Sequence, residues 1–350
     1  MSVITRPSIV FPPFQVNNDE MLHVLEMLHP EHPQWDAIQK MVRNMEIDRR
    51  YLVRPLCETV RHAGLANRAK TYQDESRRLG ALAAKEALEF AHLDAGEIDL
   101  IIAVSCTGFM MPSLTAYLIN DLDFPSTTKQ LPICQLGCVA GASAINRAFE
   151  YCKAFPKANV LIVCVELSSL CFQPSDETME SLLASALFGD MAAACVMRNA
   201  DAQVQGYEVV GNASLLLKKS ESYIAYDIKE TGFHFLLDKR VMHVIEDVAP
   251  YLEAFAHKHL NKRVSELGFH AFHTGGKRII DELVKHLHLR DEDVRHSRQS
   301  LREMGNVSSV SVIDVLKRFF DKGVDAGSDG VLAAFGPGFT AEMSVGYWRN

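Results

Sequence analysis

The chain has 350 residues, too many for one ordinary core and suited to two packed units. Hydrophobic residues make up 48% and charged residues 23%, a globular mix that excludes a mainly disordered or collagen-like chain. Lys and Arg total 36 against 44 Asp and Glu, and the net charge of −8 makes nucleic acid an unsuitable partner.

From the N-terminus, MSVITRPSIVFPPF lacks the basic stretch and apolar core of a secretion signal. Residues 20–46, with Met21, Leu22, Val24, Leu25 and Leu28 at helical spacing, predict an opening helical region. Short apolar runs then alternate with amphipathic stretches: DLIIAVSCTG before SLTAYLINDL, ANVLIVCVEL before ETMESLLASALF, FHAFHTGG before RIIDELVKHLHL. That alternation predicts an α/β fold. The mixed charges of 286–303 predict a solvated face. No run approaches the roughly 18 apolar residues of a membrane helix, so a cytoplasmic protein without membrane contact is expected. Eight cysteines in a chain this long make no disulfide framework, and Cys134, Cys152, Cys164 and Cys195 lie in apolar runs, where a thiol reads as a small core residue. Cys134 and Cys138 share a CxxxC spacing, but with no second ligand pair no metal site is expected.

An internal repeat carries the most information. EIDL at 97–100 leads to Cys106-Thr107-Gly108, and ELGF at 266–269 leads to His273-Thr274-Gly275. Downstream, GCVAGASAIN at 137–146 matches GNVSSVSVID at 305–314 in register. The intervals Cys106 to Cys138 and His273 to Asn306 are 32 and 33 residues, which argues for a duplicated α/β unit. In halves related by a pseudo-two-fold axis, equivalent strand-to-helix junctions face each other, so Cys138, His273 and Asn306 are expected to converge. Cys138 follows a Gly137 turn at a helix start, where unpaired N–H groups favour a thiolate, and it is the candidate nucleophile. His273 precedes Gly275-Gly276, which leave room for a ligand. Asn306, after Gly305, is either a reacting-site donor or a helix cap.

QLGCVAGASAINRA, FHTGG, MGNVSS, CTGFMMPS at 106–113, SALFGD at 185–190 and FGPGFTAE at 335–342 together resemble the type III polyketide synthases, chalcone-synthase-like enzymes of the thiolase superfamily. Within that family the chain looks most like the bacterial branch whose members make phloroglucinol or 1,3,6,8-tetrahydroxynaphthalene. The resemblance implies a thiolase-like αβαβα five-layer fold with internal pseudo-two-fold duplication, its halves expected at 1–220 and 221–350. It implies a Cys138, His273 and Asn306 triad that condenses malonyl-CoA into a small polyhydroxylated aromatic, phloroglucinol ahead of 1,3,6,8-tetrahydroxynaphthalene, with an alkylpyrone from an acyl-CoA starter as a further alternative, in a homodimer without carrier protein, metal or redox cofactor. By the same resemblance Phe188 and Phe235 gate the cavity, and Cys106, Cys171, Tyr226 and Ser308 line it. Met111 crosses into the neighbouring subunit. For the CoA phosphates Arg49, Arg50 and Lys277 are the candidates, because Asn44 and Asp48 stand where the family usually has positive charge. A ketoacyl-carrier-protein synthase shares Cys-His-Asn and the fold and is the nearest alternative. It lacks CTGFMMPS and FGPGFTAE, and this chain has no basic run to dock an acidic carrier. A hydrolytic Cys-His-Asn enzyme and a non-catalytic scaffold are the more distant alternatives.

Overall fold

The computed structural model describes residues 2–61, 64–199 and 204–350. It opens with β1 (Ser2–Ile4), β2 (Ser8–Val10), β3 (Phe14–Asn17), α1 (Asn18–Leu28), α2 (Trp35–Arg43), β4 (Arg49–Leu52) and α3 (Leu56–Thr59). The first α/β half continues through α4 (Leu65–Ala91), β5 (Leu100–Val104), α5 (Leu114–Asp121), β6 (Lys129–Ile133), α6 (Ala140–Ala154), β7 (Val160–Leu167), α7 (Met179–Leu187) and β8 (Asp190–Asn199). Then come β9 (Gly206–Ser220), β10 (Ile224–Lys229), β11 (Gly232–Leu237), α8 (Ile245–Leu260), β12 (Phe269–Phe272) and α9 (Lys277–His286). The chain ends with α10 (Arg295–Met304), α11 (Val310–Lys322), β13 (Asp329–Gly336) and β14 (Gly338–Arg349). The predicted opening helical region is α1 and α2, and α1 begins with a capping box between Asn17 and Glu20.

The main sheet runs β6-β5-β7-β8-β1-β9-β14-β13-β12, in which β5-β7-β8-β1 and β12-β13-β14-β9 mirror each other about the centre and β6 adds a further edge strand. β5 and β7 are parallel, as are β12 and β13, while β7/β8 and β13/β14 are antiparallel. β8/β1 and β14/β9 are antiparallel too, and β1 pairs with β9 across the centre. The repeat is thus a structural duplication, with β5 and β12 as equivalent strands. By this pairing β9 stands opposite β1 at the centre of the sheet.

Side-chain alternation on these strands builds the layers. Ile102, Val104, Ile162 and Cys164 face one way and meet Ile145 and Ala148 of α6 and Val312 and Leu316 of α11; Ala271, Leu332 and Ala334 of the second half reach the same helices. The intervening residues Ile101, Ala103, Leu161 and Val163 pack on Leu79 and Ala83 of α4 and Leu118 of α5. On the far side Val331, Ala333, Met343 and Val345 cover Val248 and Leu252 of α8 and Ile280 and Leu283 of α9. The result is αβαβα, with α6 and α11 as the shared middle layer. Strands buried on both faces explain why LIIAV and VLIVCV are continuous apolar runs with no polar alternation.

α6 and α11 meet closest where Gly141 faces Ser309. A Cβ on Gly141 would lie 2.1 Å from the Ser309 carbonyl oxygen. An alanine there gains about 1 kcal/mol of helix propensity. It loses more, because a backbone oxygen has no rotamer by which to move away. Gly141→Ala is therefore expected to lower stability by about 1–3 kcal/mol, the scale of overpacking, with a lower urea midpoint at unchanged slope.

Candidate active site

Cys138 sits in a single turn, Gly137–Val139, that feeds directly into α6. Gly137 has φ +57°, and a Cβ there would lie 2.8 Å from the Pro337 ring, so glycine is required on both counts. The close crossing at Gly141 brings the α11 end of the second half against this turn. Asn306 Nδ2 lies 3.9 Å from Cys138 Sγ.

Asn306 is held by its backbone and by its own amide. Its N–H donates to Leu187 O at 2.9 Å, and its carbonyl accepts from Gly189 N–H at 3.1 Å. The carboxamide oxygen accepts from Ser308 N–H at 2.8 Å, across a turn in which Ser308 has φ +50°. With Oδ1 so anchored, Nδ2 is turned toward Cys138 and Gly275 O (3.5 Å). α11 starts only at Val310, with Ser309 at its cap position, so Asn306 is not the cap of that helix. His273 follows β12, and its backbone N–H donates to Ala333 O at 2.9 Å. Its ring is buried, and neither ring nitrogen meets a hydrogen-bond partner among the described residues. Leaving a buried polar group unpaired costs about 1–3 kcal/mol, which a substrate oxygen repays on arrival.

Burial dominates the electrostatics. It pushes the Cys138 thiol up to about 11, against the lowering effect of hydrogen bonds from Ser308 and Asn306. Burial likewise pushes the His273 imidazole down to about 4. Burial thus opposes the thiolate that the helix start favours, and opposes an imidazolium at His273. A neutral imidazole is a base able to take the thiol proton.

Below the pair lies an acid that sequence reasoning passed over. Glu166, at the end of β7, is fully buried and accepts from Cys106 N–H (3.1 Å), Thr107 Oγ1 (3.1 Å), Ser308 Oγ (3.2 Å) and the Ser309 hydroxyl. Burial raises its carboxyl above the ordinary value despite these donors. It ties the Cys106 loop of one half to the Asn306 loop of the other, and Cys106 Sγ lies 3.5 Å from Ser308 Oγ. The signal was present in the sequence, since Glu166 is the one acid in VLIVCVEL.

Cys138, His273 and Asn306 open on a cavity of about 930 Å³, which Cys106, Ser308, Tyr226, Phe188 and Phe235 also line. The Phe188 and Phe235 rings meet edge to face at 5.2 Å. Cys171 Sγ lies 3.3 Å from Thr107 O, and the residue borders a hollow of about 60 Å³ whose lining also includes Phe188, Tyr226 and Phe235. Cys134 corrects the core reading, being exposed on the edge strand's end and lining the cavity, whereas Cys152, Cys164 and Cys195 are buried. Met111 is 84% exposed and does not line the cavity of this chain.

The three expected phosphate ligands do not reach the cavity. Arg50 is buried and bonded to Asn17 O and Asn18 Oδ1. Arg49 lies on the same short strand, β4, outside the cavity lining. Lys277 pairs with Asp281 at 3.0 Å and Glu46 at 3.6 Å. Among the described residues Lys239 and Arg278 line the cavity, both exposed, Arg278 being paired with Glu282 at 2.9 Å. No group of three or more His, Cys, Asp or Glu is placed to hold a metal, and no helix is long and apolar enough to cross a membrane, among the described residues.

Removing the base isolates the thiol. In His273→Ala, alkylation of Cys138 by iodoacetamide at pH 7 is expected to fall about 10²-fold, the lower end for losing a general base. Its rate then climbs about tenfold per pH unit toward pH 11 as thiolate forms. Peptide mass spectrometry across pH 6–10 measures both; a rate independent of His273 would leave the imidazole without this role.

Comparison with known proteins agrees with this geometry. Residues 36–201 match the chalcone and stilbene synthase N-terminal domain, and residues 208–346 match the C-terminal domain. The chain is 49% identical to a phloroglucinol synthase of Pseudomonas fluorescens over 99% of each protein. It is 46% identical to a 1,3,6,8-tetrahydroxynaphthalene synthase of Streptomyces coelicolor, over 100% of this chain and 93% of that protein. The crystal structure of the tetrahydroxynaphthalene synthase from Streptomyces coelicolor superposes with a TM-score of 0.97 over 99% of each chain. Germicidin synthase from the same organism superposes at 0.92 with 23% identity, a likeness of fold alone. With both domain profiles matched in order and the two halves of the site meeting across the pseudo-two-fold axis, the chain belongs to the chalcone and stilbene synthase family and is a type III polyketide synthase.

Proposed function

We propose that the enzyme builds a triketide from three malonyl-CoA units on Cys138 and closes it to phloroglucinol. The observation that carries the chemistry is the convergence of one thiol, one unpartnered imidazole and one oriented carboxamide on a single cavity wall. His273 takes the Cys138 proton, Sγ attacks the malonyl thioester carbonyl, and CoA leaves as thiol. A second malonyl-CoA loses CO₂, and the freed electron pair becomes an enolate whose oxygen takes hydrogen bonds from Asn306 Nδ2 and the protonated His273. Its carbon attacks the Cys138 thioester, the Cys138 thiolate departs, and the lengthened chain returns from CoA to the sulfur. After the third unit the starter's own carboxylate leaves as CO₂, the terminal carbanion so formed attacks the Cys138 thioester carbonyl, the Cys138 thiolate departs, and the six-carbon triketone ring enolises to phloroglucinol. The reaction calls on no metal, redox cofactor or carrier protein. Phe188 and Phe235 act as the gate, and the rings of Tyr226 and Phe233, 5.6 Å apart, narrow the chamber. The 49% identity to a phloroglucinol synthase supports the three-unit product. The neighbouring 46% match makes the five-unit naphthalene the second reading.

Mass spectrometry of products from malonyl-CoA alone decides between them. Phloroglucinol is expected; the naphthalene as main product would overturn the product, and a strict need for long acyl-CoA starters would overturn the malonate-only reading. Cys138→Ala is expected to make no product, while Asn306→Ala lowers CO₂ release by about 10²–10³-fold, the scale for one oxyanion donor.

The CoA phosphates belong with Lys239 and Arg278, which line the cavity. Lys239→Glu with Arg278→Glu is expected to raise the KM for malonyl-CoA about tenfold at nearly constant kcat, the scale of reversing two exposed charges. Malonyl-N-acetylcysteamine, which has no phosphate, should be turned over as by wild type. Equal effects on both substrates would remove the assignment.

A homodimer is part of the reading. Phe109 and Met111, 66% and 84% exposed on the loop after Cys106, are large apolar side chains that a second copy would cover. Sedimentation is expected to show twice the 39.0 kDa chain mass; a fully active monomer would refute it.

A further inference from the structure

The hairpin β10–β11 forms a two-stranded sheet of its own, separate from the main sheet. Nevertheless it supplies Tyr226, Phe233 and Phe235 to the cavity wall. Its ladder pairs Tyr226 with Phe235 and Asp227 with His234. Successive side chains on a strand point to opposite faces, so His234, between Phe233 and Phe235, is directed away from the chamber. There it is buried, with Nδ1 2.9 Å from Asp176 Oδ2 and Nε2 2.7 Å from Thr231 Oγ1 at the hairpin turn. Asp176 is itself held, its Oδ1 accepting from the Thr178 N–H (3.1 Å) and hydroxyl (2.7 Å). Gln173, on the same segment, donates from Nε2 to Phe233 O at 3.0 Å and Thr231 O at 3.4 Å.

Thr178 is the N-cap of α7, and the residue at that helix's other end is Phe188, bridged to Asn306. α7 therefore spans from the point where His234 is fastened to the ring that Phe235 must meet. We propose that Asp176, His234 and Gln173 form a latch that fixes the hairpin to α7 and thereby sets the aperture between Phe188 and Phe235. His234 is a positioning residue: it touches no reacting atom and acts through Phe235. The inference rests on the reading that these two phenylalanines gate access to Cys138. It adds the group that determines how far the gate stands open.

Labelling of Cys138 reads the aperture without turnover. The ratio of its rate with a bulky pyrene maleimide to its rate with iodoacetamide, followed on the Cys138 peptide, reports entry width and cancels changes in thiol reactivity. His234→Ala and Asp176→Asn are each expected to raise that ratio about tenfold, the scale of losing one hydrogen bond to a charged group. Amides of residues 224–237 should exchange faster with deuterium while those of α6 and α11 keep their protection. His234→Gln, which retains a donor, should recover part of the effect. Gln173→Ala, which leaves the His234–Asp176 pair intact, decides by the same ratio should His234→Ala fail to fold. An unchanged ratio in the folded variants would overturn the latch. Because the ratio needs no product, a wrong product assignment leaves this result readable, and a raised ratio with unaltered products would separate the latch from product control.

Discussion

The contact between α6 and α11 at Gly141 and Ser309 governs the site. Two helices from equivalent places in a duplicated fold point their first turns at the same spot. They can do so only because one of them carries no side chain at the crossing. That approach sets the thiol of one half beside the carboxamide of the other. Neither half holds a complete set of reacting groups, so the pairing of β1 with β9 and the packing of the shared helix layer are conditions of catalysis as well as of stability.

Around that contact the protein buries the reacting groups. Desolvation raises the thiol and lowers the imidazole, opposing charge on both. Asn306 is held from three sides: the Leu187–Gly189 segment grips its backbone, the Ser308 N–H fixes its amide oxygen, and Gly275 O receives its nitrogen. A donor held in this way spends little reorganisation when an oxyanion forms. Glu166 performs the equivalent task one layer down, joining the Cys106 and Ser308 loops through hydroxyl and backbone donors.

The gate shows the same division of labour. Phe188 is fixed by the main body through its bridge to Asn306, whereas Phe235 rides on a hairpin outside the main sheet. An aromatic pair with one fixed member and one carried on a separate ribbon has its spacing set by whatever fastens the ribbon. Here polar side chains on the face turned away from substrate do so, leaving the chamber face to aromatic and apolar groups.

Much of this was legible in the chain itself. The apolar runs named the buried strands, and the two ordered matches at intervals of 32 and 33 residues named the duplication and, through it, Cys138, His273 and Asn306. Such features are readable because they depend on local periodicity and on a repeat written twice. What depended on distant packing was not. The desolvation that opposes a thiolate at Cys138 is made by both halves, which a helix start in isolation does not contain. Arg50 looked like a surface cation and proved buried among side chains from other elements, while Lys239 and Arg278, with no motif around them, line the cavity. Cys171 matched a lining position and borders a smaller hollow that shares Phe188, Tyr226 and Phe235 with the cavity. Sequence alone determined which chemistry the protein carries, since reactive residue types at repeated junctions are local facts. Only the tertiary structure decided desolvation, access and cavity shape, because each is set by side chains far apart in the chain that meet in space.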